Sequence, residues 1–212
     1  MLFLRLEPPQ LIALVIALVV GITFHEFMHA FTADQLGDHR PRALHRVSLN
    51  PANHIDPMGA LFFLMAGFGW GKPVPVNGYA LRPGRIGMAY VAAAGPLANV
   101  VVALVGAVAF RAADLAGVLG EPSGFAWQLV IGIVEFNIIL GLFNLLPIPP
   151  LDGYNLVLPF LPLRTALTVQ RYAPYGVIVL LLLILLPRAG SASPLSWLFE
   201  AAQAITLALT GA

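Results

Sequence analysis

Residues 11–31, LIALVIALVVGITFHEFMHAF, constrain this chain more than any other stretch. The run is apolar over a length that can cross a bilayer, which takes about 20 helical residues. Its second half nevertheless holds His25, Glu26 and His29. Ionisable groups at such a depth are costly and point to function. At 3.6 residues per turn, His25 and His29 stand one above the other on a single helix face. Both imidazoles can reach one metal ion, and Glu26, one residue further on, leans towards a water on that ion.

The rest of the chain extends the same theme. Of 212 residues, 59% are hydrophobic and 10% charged, far from the composition of a soluble globular domain. The expected fold class is an all-α polytopic membrane protein, one domain over 1–212. A net charge of +1 gives no basis for nucleic-acid binding, and with no cysteine any metal is held by His and carboxylates. Arg5 ahead of an apolar run resembles a signal peptide, but the run is long and no small-residue cleavage site follows it. Cleavage after it would also discard His25 and His29, so the helix is expected to be retained.

In chain order, Pro8-Pro9 open a first span over 10–34, and 38–56 form a polar connection containing His39, Arg40, Arg42, His45, Arg46 and His54. Residues 58–70 are apolar but too short to cross, which predicts a re-entrant or interfacial segment. In Lys72–Asn77, the alternation of Val74 and Val76 with prolines predicts a short edge strand or β-hairpin turning at Asn77-Gly78. A second span covers 86–110 and is rich in Ala and Gly, which let helices approach closely in lipid. A third covers 125–150 and is broken by Pro147, Pro149 and Pro150; a fourth covers 172–187. Residues 195–210 either span marginally or lie in the interface.

With these crossings, Arg40, Arg42, Arg46, Lys72, Arg82, Arg85, Arg164 and Arg171 fall on one side, and Arg5, Arg111 and Arg188 on the other. The excess of positive charge places the 35–85 loop in the cytoplasm. His29 is then five residues, ~7–8 Å, from the cytoplasmic end of its helix.

A catalytic zinc takes three protein ligands and keeps a position open, and the first helix supplies two. Asp152, Glu135, Asp56 and His54 are the candidates for the third. Asp152 is best placed on topology, since it follows the third span on the same side as the two histidines. The run Leu146–Gly153 with its three prolines cannot be regular helix, and broken backbone at membrane depth lines a cavity. A helix cap at a membrane exit is the bland alternative for Asp152.

His25-Glu26-Phe27-Met28-His29, the stretch Asn144–Gly153 (NLLPIPPLDG), Gly95-Pro96-Leu97-Ala98-Asn99, and the Asn50–Pro57 and Lys72–Asn77 segments together resemble the site-2 protease family of zinc metalloproteases, in its small prokaryotic branch. The resemblance covers about 15–158. It implies a three-helix catalytic core (about 10–158) followed by C-terminal spans (about 172–211). It implies one Zn2+ on His25, His29 and Asp152, Glu26 as general base, and a role for Asn144 in orienting substrate or its oxyanion. Asn99 is divided between packing and support of the site, and His54 between a site neighbour and a satisfied loop residue. The PDZ-like and nucleotide-sensing CBS domains found elsewhere in the family are not seen.

The expected function is therefore an intramembrane zinc endopeptidase acting on transmembrane helices in a prokaryotic cell membrane. Its partners are the bilayer and a membrane-protein substrate, with the oligomeric state open. The competing expectations are a metal-ion permease, which needs ligands strung along a crossing path, and a non-catalytic membrane-helix-binding protein, against which an intact Glu26 stands.

Overall fold

The computed structural model describes residues 7–66, 69–185 and 194–212. Arg5, Arg188, the end of the expected 172–187 span and residues 67–68 of the 58–70 stretch lie outside them. Helix α1 covers Pro8–Gln35, opened by a reciprocal capping box between Glu7 and Gln10. A short helix α2 (Arg40–Ala43) lies in the polar connection, followed by α3 (Pro57–Ala66). Helices α4 (Arg85–Leu115) and α5 (Phe125–Asn144) come next, then α6 (Asp152–Val157) after the proline run. The chain continues through α7 (Leu163–Tyr172), α8 (Gly176–Leu185) and α9 (Ser196–Thr210).

Among the described residues, four stretches are long and apolar enough to cross a membrane: α1, α4, α5 and the run Leu163–Ile184 that joins α7 to α8. Three of them, α1, α4 and α5, pack against one another as the centre of the molecule. The reason is visible along α1. Ala13, Ala17, Gly21, His25, His29 and Ala33 are all buried, and they recur every fourth residue, forming one stripe of small side chains and imidazoles. The opposing face of α4 is equally small, with Ala92, Gly95, Ala98, Ala103 and Ala107 buried. Outward positions such as Val101, Val105 and Val108 are exposed, as a lipid-facing surface requires. Where packing rather than hydrophobicity drives association, small facing residues let backbones meet.

Helix α9 packs on α5 and α4. Its buried face is Leu198, Ala202, Thr206 and Thr210, again at a spacing of four. Ala202 meets Ala103, Ala107, Val134 and Ile138. Arg111 donates from Nε to the Leu209 carbonyl at 2.6 Å and from Nη2 to that of Ala208 at 3.0 Å, so a cation closes the carbonyl end of α9.

Two expectations change in detail. The helix of the third span, expected to reach Leu146 and break at Pro147, ends at Asn144, because the prolines that follow supply no N–H to continue it. Lys72–Asn77 is extended, but among the described residues it forms no hairpin. The one bridge there joins Ile55 and Gly71. Pro73 and Pro75 lack donors, and the carbonyls of Lys72 and Pro73 are taken by the Arg46 side chain. The turn itself is present, with Tyr79 N–H donating to Asn77 Oδ1 and Ala80 N–H to the Asn77 carbonyl. Helix α3 has ten residues, about 15 Å of rise and half a hydrocarbon core.

Candidate metal centre

Helix α1 presents His25 and His29 inward from its buried stripe, and α6 brings Asp152 to them. The approach of α6 depends on Gly153. A Cβ there would stand 2.1 Å from the Leu145 carbonyl oxygen, so only glycine lets the start of α6 press onto the end of α5. The three donor atoms converge. His25 Nε2 and His29 Nε2 are 3.0 Å apart, and Asp152 Oδ2 lies 3.0 Å from the first and 3.2 Å from the second. Ligands at ~2.0–2.1 Å around a tetrahedral zinc stand about 3.3 Å from one another, close to this spacing.

The histidine tautomers argue for a cation as well. His29 Nδ1 lies 2.7 Å from the Val91 carbonyl, an acceptor only, so Nδ1 carries the proton. His25 Nδ1 lies 2.7 Å from Asn99 Oδ1. The amide orientation of Asn99 is fixed because its Nδ2 donates to the Gly21 carbonyl at 3.2 Å and to Asn137 Oδ1 at 2.8 Å. Asn137 in turn donates from Nδ2 to the Ile133 carbonyl at 2.8 Å. Both Nε2 atoms therefore direct lone pairs at each other and at a buried carboxylate oxygen that has no hydrogen-bond donor among the described residues. Three mutually repelling lone pairs within hydrogen-bond distance need a positive charge between them. A divalent metal with His and carboxylate ligands supplies it, and His25, His29 and Asp152 form a group able to hold one.

Glycine also makes room for the donors on the α4 side. A Cβ at Gly95 would fall 2.4 Å from His29 Nε2 and 2.7 Å from His25 Cε1. Glu26 projects on the other side, towards Gly71, where a Cβ would come within 3.2 Å of Glu26 Oε1. Glu26 Oε2 is 3.8 Å from Arg46 Nη2. The metal group thus sits between α4 and the 71–73 segment, with Glu26 facing the latter.

Of the third-ligand candidates, Asp152 alone joins the histidines among the described residues. Asp56 Oδ1 instead accepts from Gly59 N–H at the start of α3. His54 is fully buried and its Nε2 donates to the Ser48 carbonyl at 2.6 Å; burial, and then the charge of Arg46, hold its pKa below the ordinary imidazole value. Glu135 stands outside the metal group. Asn144 is half-buried, and its Nδ2 donates to the Leu140 carbonyl of its own helix at 3.0 Å. Asn99 is fully buried against His25. Sequence reasoning missed Asn137 and Arg46 as partners of the site. Asn137 was within reach, since a lone amide in an apolar span needs a partner.

An imidazole pair on a helix of membrane-crossing length, met by a carboxylate at the start of the short α6, defines a class: a multi-pass membrane protein with a zinc-type metal centre. The relatives narrow it. The chain is 37% identical over 177 residues to a Bacillus subtilis protein named "Putative zinc metalloprotease YwhC", covering 82% of this chain and 80% of the relative. It is 30% identical over 191 residues to "Putative zinc metalloprotease Rip2" of Mycobacterium tuberculosis, covering 86% and 71%. A Rip2 of Mycolicibacterium smegmatis is 28% identical over 189 residues, covering 86% and 68%. No family model matches the chain, and no solved structure does. The chain belongs to the site-2 protease family of zinc metalloproteases, and zinc is the cofactor its donor set fits.

Proposed function

We propose that this protein is an intramembrane zinc endopeptidase that hydrolyses peptide bonds in or near the transmembrane helices of membrane-protein substrates. The observation that carries the reading is the convergence of His25, His29 and Asp152 beside Glu26 on a helix apolar enough to cross a bilayer. A soluble peptide gains nothing by entering such a site. A transmembrane segment is already there, once it unwinds enough to release the hydrogen-bonded carbonyl of its scissile bond.

Zinc bound by His25, His29 and Asp152 supplies Lewis acidity and a lowered water pKa of about 7. Glu26 takes the proton of the attacking water and delivers it to the leaving nitrogen. Its carboxylate faces the 71–73 segment, and that is where an unwound substrate strand lies, added to the exposed backbone of Lys72–Asn77. Asn144 donates to the developing oxyanion. To do so its amide leaves the Leu140 carbonyl, a bond worth about 1 kcal/mol, which substrate binding readily offsets. Asn99 orients His25. The excess of Lys and Arg in the loops on the metal side supports a position nearer the cytoplasm, with the ten-residue α3 entering the membrane without crossing it.

The test is cleavage of a purified single-span substrate by the full chain in bilayer nanodiscs, with the cut mapped by mass. Cleavage within or at the edge of the span, abolished by a chelator and restored by zinc, is expected. Zinc passage into vesicles with no proteolysis contradicts the proposal.

A further inference from the structure

The 72–77 segment is fastened at both ends and bare in the middle. At one end Arg46, 4% exposed, donates from Nη1 to the Pro73 carbonyl at 2.9 Å and from Nη2 to the Lys72 carbonyl. At the other, Asp38, 1% exposed, accepts Asn77 N–H at 2.6 Å on Oδ2. Asp38 is itself held by Arg40, at 2.9 Å from Nε and 2.9 Å from Nη2. Between the two, Pro73 and Pro75 have no N–H, and those of Val74 and Val76 have no hydrogen-bond partner among the described residues. Val76 is anchored sideways against Ala33, Leu81 and Val91.

Burying a guanidinium is expensive. Arg46 Nε has no hydrogen-bond partner among the described residues, and the residue before it, His45, is held at a φ of 55°, unusual for a residue other than glycine. A loop can be tied down with neutral bonds at far lower cost. What the guanidinium adds is its fork, which spans two successive carbonyls while its Nη2 stays 3.8 Å from Glu26 Oε2. One rigid group thereby fixes the segment and keeps a positive charge beside the carboxylate that faces it.

We infer that Arg46 and Asp38 are positioning residues that clamp the two ends of the Lys72–Asn77 segment, so that its free Val74 and Val76 amides dock an unwound substrate strand in one register relative to Glu26. This rests on the proteolytic reading above. The clamp makes Arg46 a determinant of which peptide bond is cut, not a group that touches the reacting atoms.

The full chain has no cysteine, so a spin label on Val74→Cys reports on the segment alone, without turnover. In that background Arg46→Met and Asp38→Ala are expected to broaden the label's motion while bound zinc stays at the wild-type level. Arg46→Lys, which keeps the charge and loses the fork, is expected to fall between. In the cysteine-free chain, Arg46→Lys and Arg46→Met are expected to cut a single-span substrate at several adjacent bonds instead of one. KM rises on the order of tenfold, the weight of one charge-assisted hydrogen bond, and kcat falls less. An unchanged label spectrum with an unchanged single cut overturns the proposal. So does a loss in Arg46→Lys of zinc and folded structure together, which makes Arg46 merely structural. A wild-type chain that cuts nothing defeats the proteolytic reading instead, and the label still decides whether the clamp exists.

Discussion

Asn99 Oδ1 stands 2.7 Å from His25 Nδ1, and this one contact fixes both the tautomer and the ring plane of a candidate metal ligand from a different helix. It also ends a chain of amides. Asn137 on α5 receives from Asn99, and Asn99 reaches the Gly21 carbonyl on α1, so the three central helices share one buried polar node. Outer partners of this kind are worth about 10- to 100-fold in metal affinity. Asn99→Ala is expected to weaken zinc binding by that factor in a chelator competition, and Asn137→Leu to do so less, with helix content unchanged by circular dichroism. Equal zinc affinity in Asn99→Ala contradicts the orienting role.

Gly95 is expected to tolerate no side chain. The Cβ of Gly95→Ala would fall inside the van der Waals radius of His29 Nε2, so either α4 retreats or the imidazole turns away. The measurement is zinc per chain after purification, with loss expected in Gly95→Ala and retention in Gly106→Ala. At Gly106 the nearest atom to a Cβ is a Val134 methyl at 3.0 Å, remote from the ligands.

The pH response of the 45–56 loop follows from His54. Its folded pKa lies below the ordinary value because burial, and then the Arg46 charge, disfavour the cation. The unfolded chain therefore binds more protons in the window beneath about 6.5. The stability His54 contributes is complete above that value and is lost as pH falls through the folded pKa. Protection of the loop amides, taken relative to their intrinsic exchange rate at each pH, is expected to fall from pH 7.5 to pH 5, and His54→Gln to flatten that response. Asp38, lowered chiefly by its Arg40 hydrogen bonds and also by the Asn77 amide, acts in a separate window below about 4.

Helix α9 offers a stability test remote from the metal. Ala202 is fully buried against Ala103, Ala107, Val134 and Ile138. Ala202→Leu is expected to cost about 1–3 kcal/mol through overpacking, read as a lower unfolding temperature in detergent with zinc content unchanged. An unchanged transition would place α9 loosely on the core.

What the sequence made legible was what local pattern encodes. His25, Glu26 and His29 are one helical motif. Asp152 announces itself through the prolines that end α5 at Asn144, since broken helix at that depth needs a reason. The remainder depended on where distant segments meet. Arg46 reads as one more cation in a basic loop until the fold turns it inward to the Lys72 and Pro73 carbonyls. The alternation of Val74 and Val76 suggests a hairpin, yet the same prolines that suggested an edge removed the donors a partner strand would use. Helix α7 escaped notice because Arg164, Thr168 and Arg171 give it a polar face, so its hydropathy alone does not mark a span. Asn137 was passed over beside Glu135, although it lies seven residues, about two turns, before Asn144.

The central claim is that Glu26 moves the proton while His25, His29 and Asp152 hold the metal. It is tested most directly by measuring zinc content and single-span substrate cleavage side by side in Glu26→Gln and Asp152→Ala. Glu26→Gln is expected to keep about one zinc per chain and to lose cleavage by a factor on the order of 10²–10⁴, while Asp152→Ala loses both. Undiminished cleavage in Glu26→Gln, or full zinc occupancy in Asp152→Ala, contradicts the account.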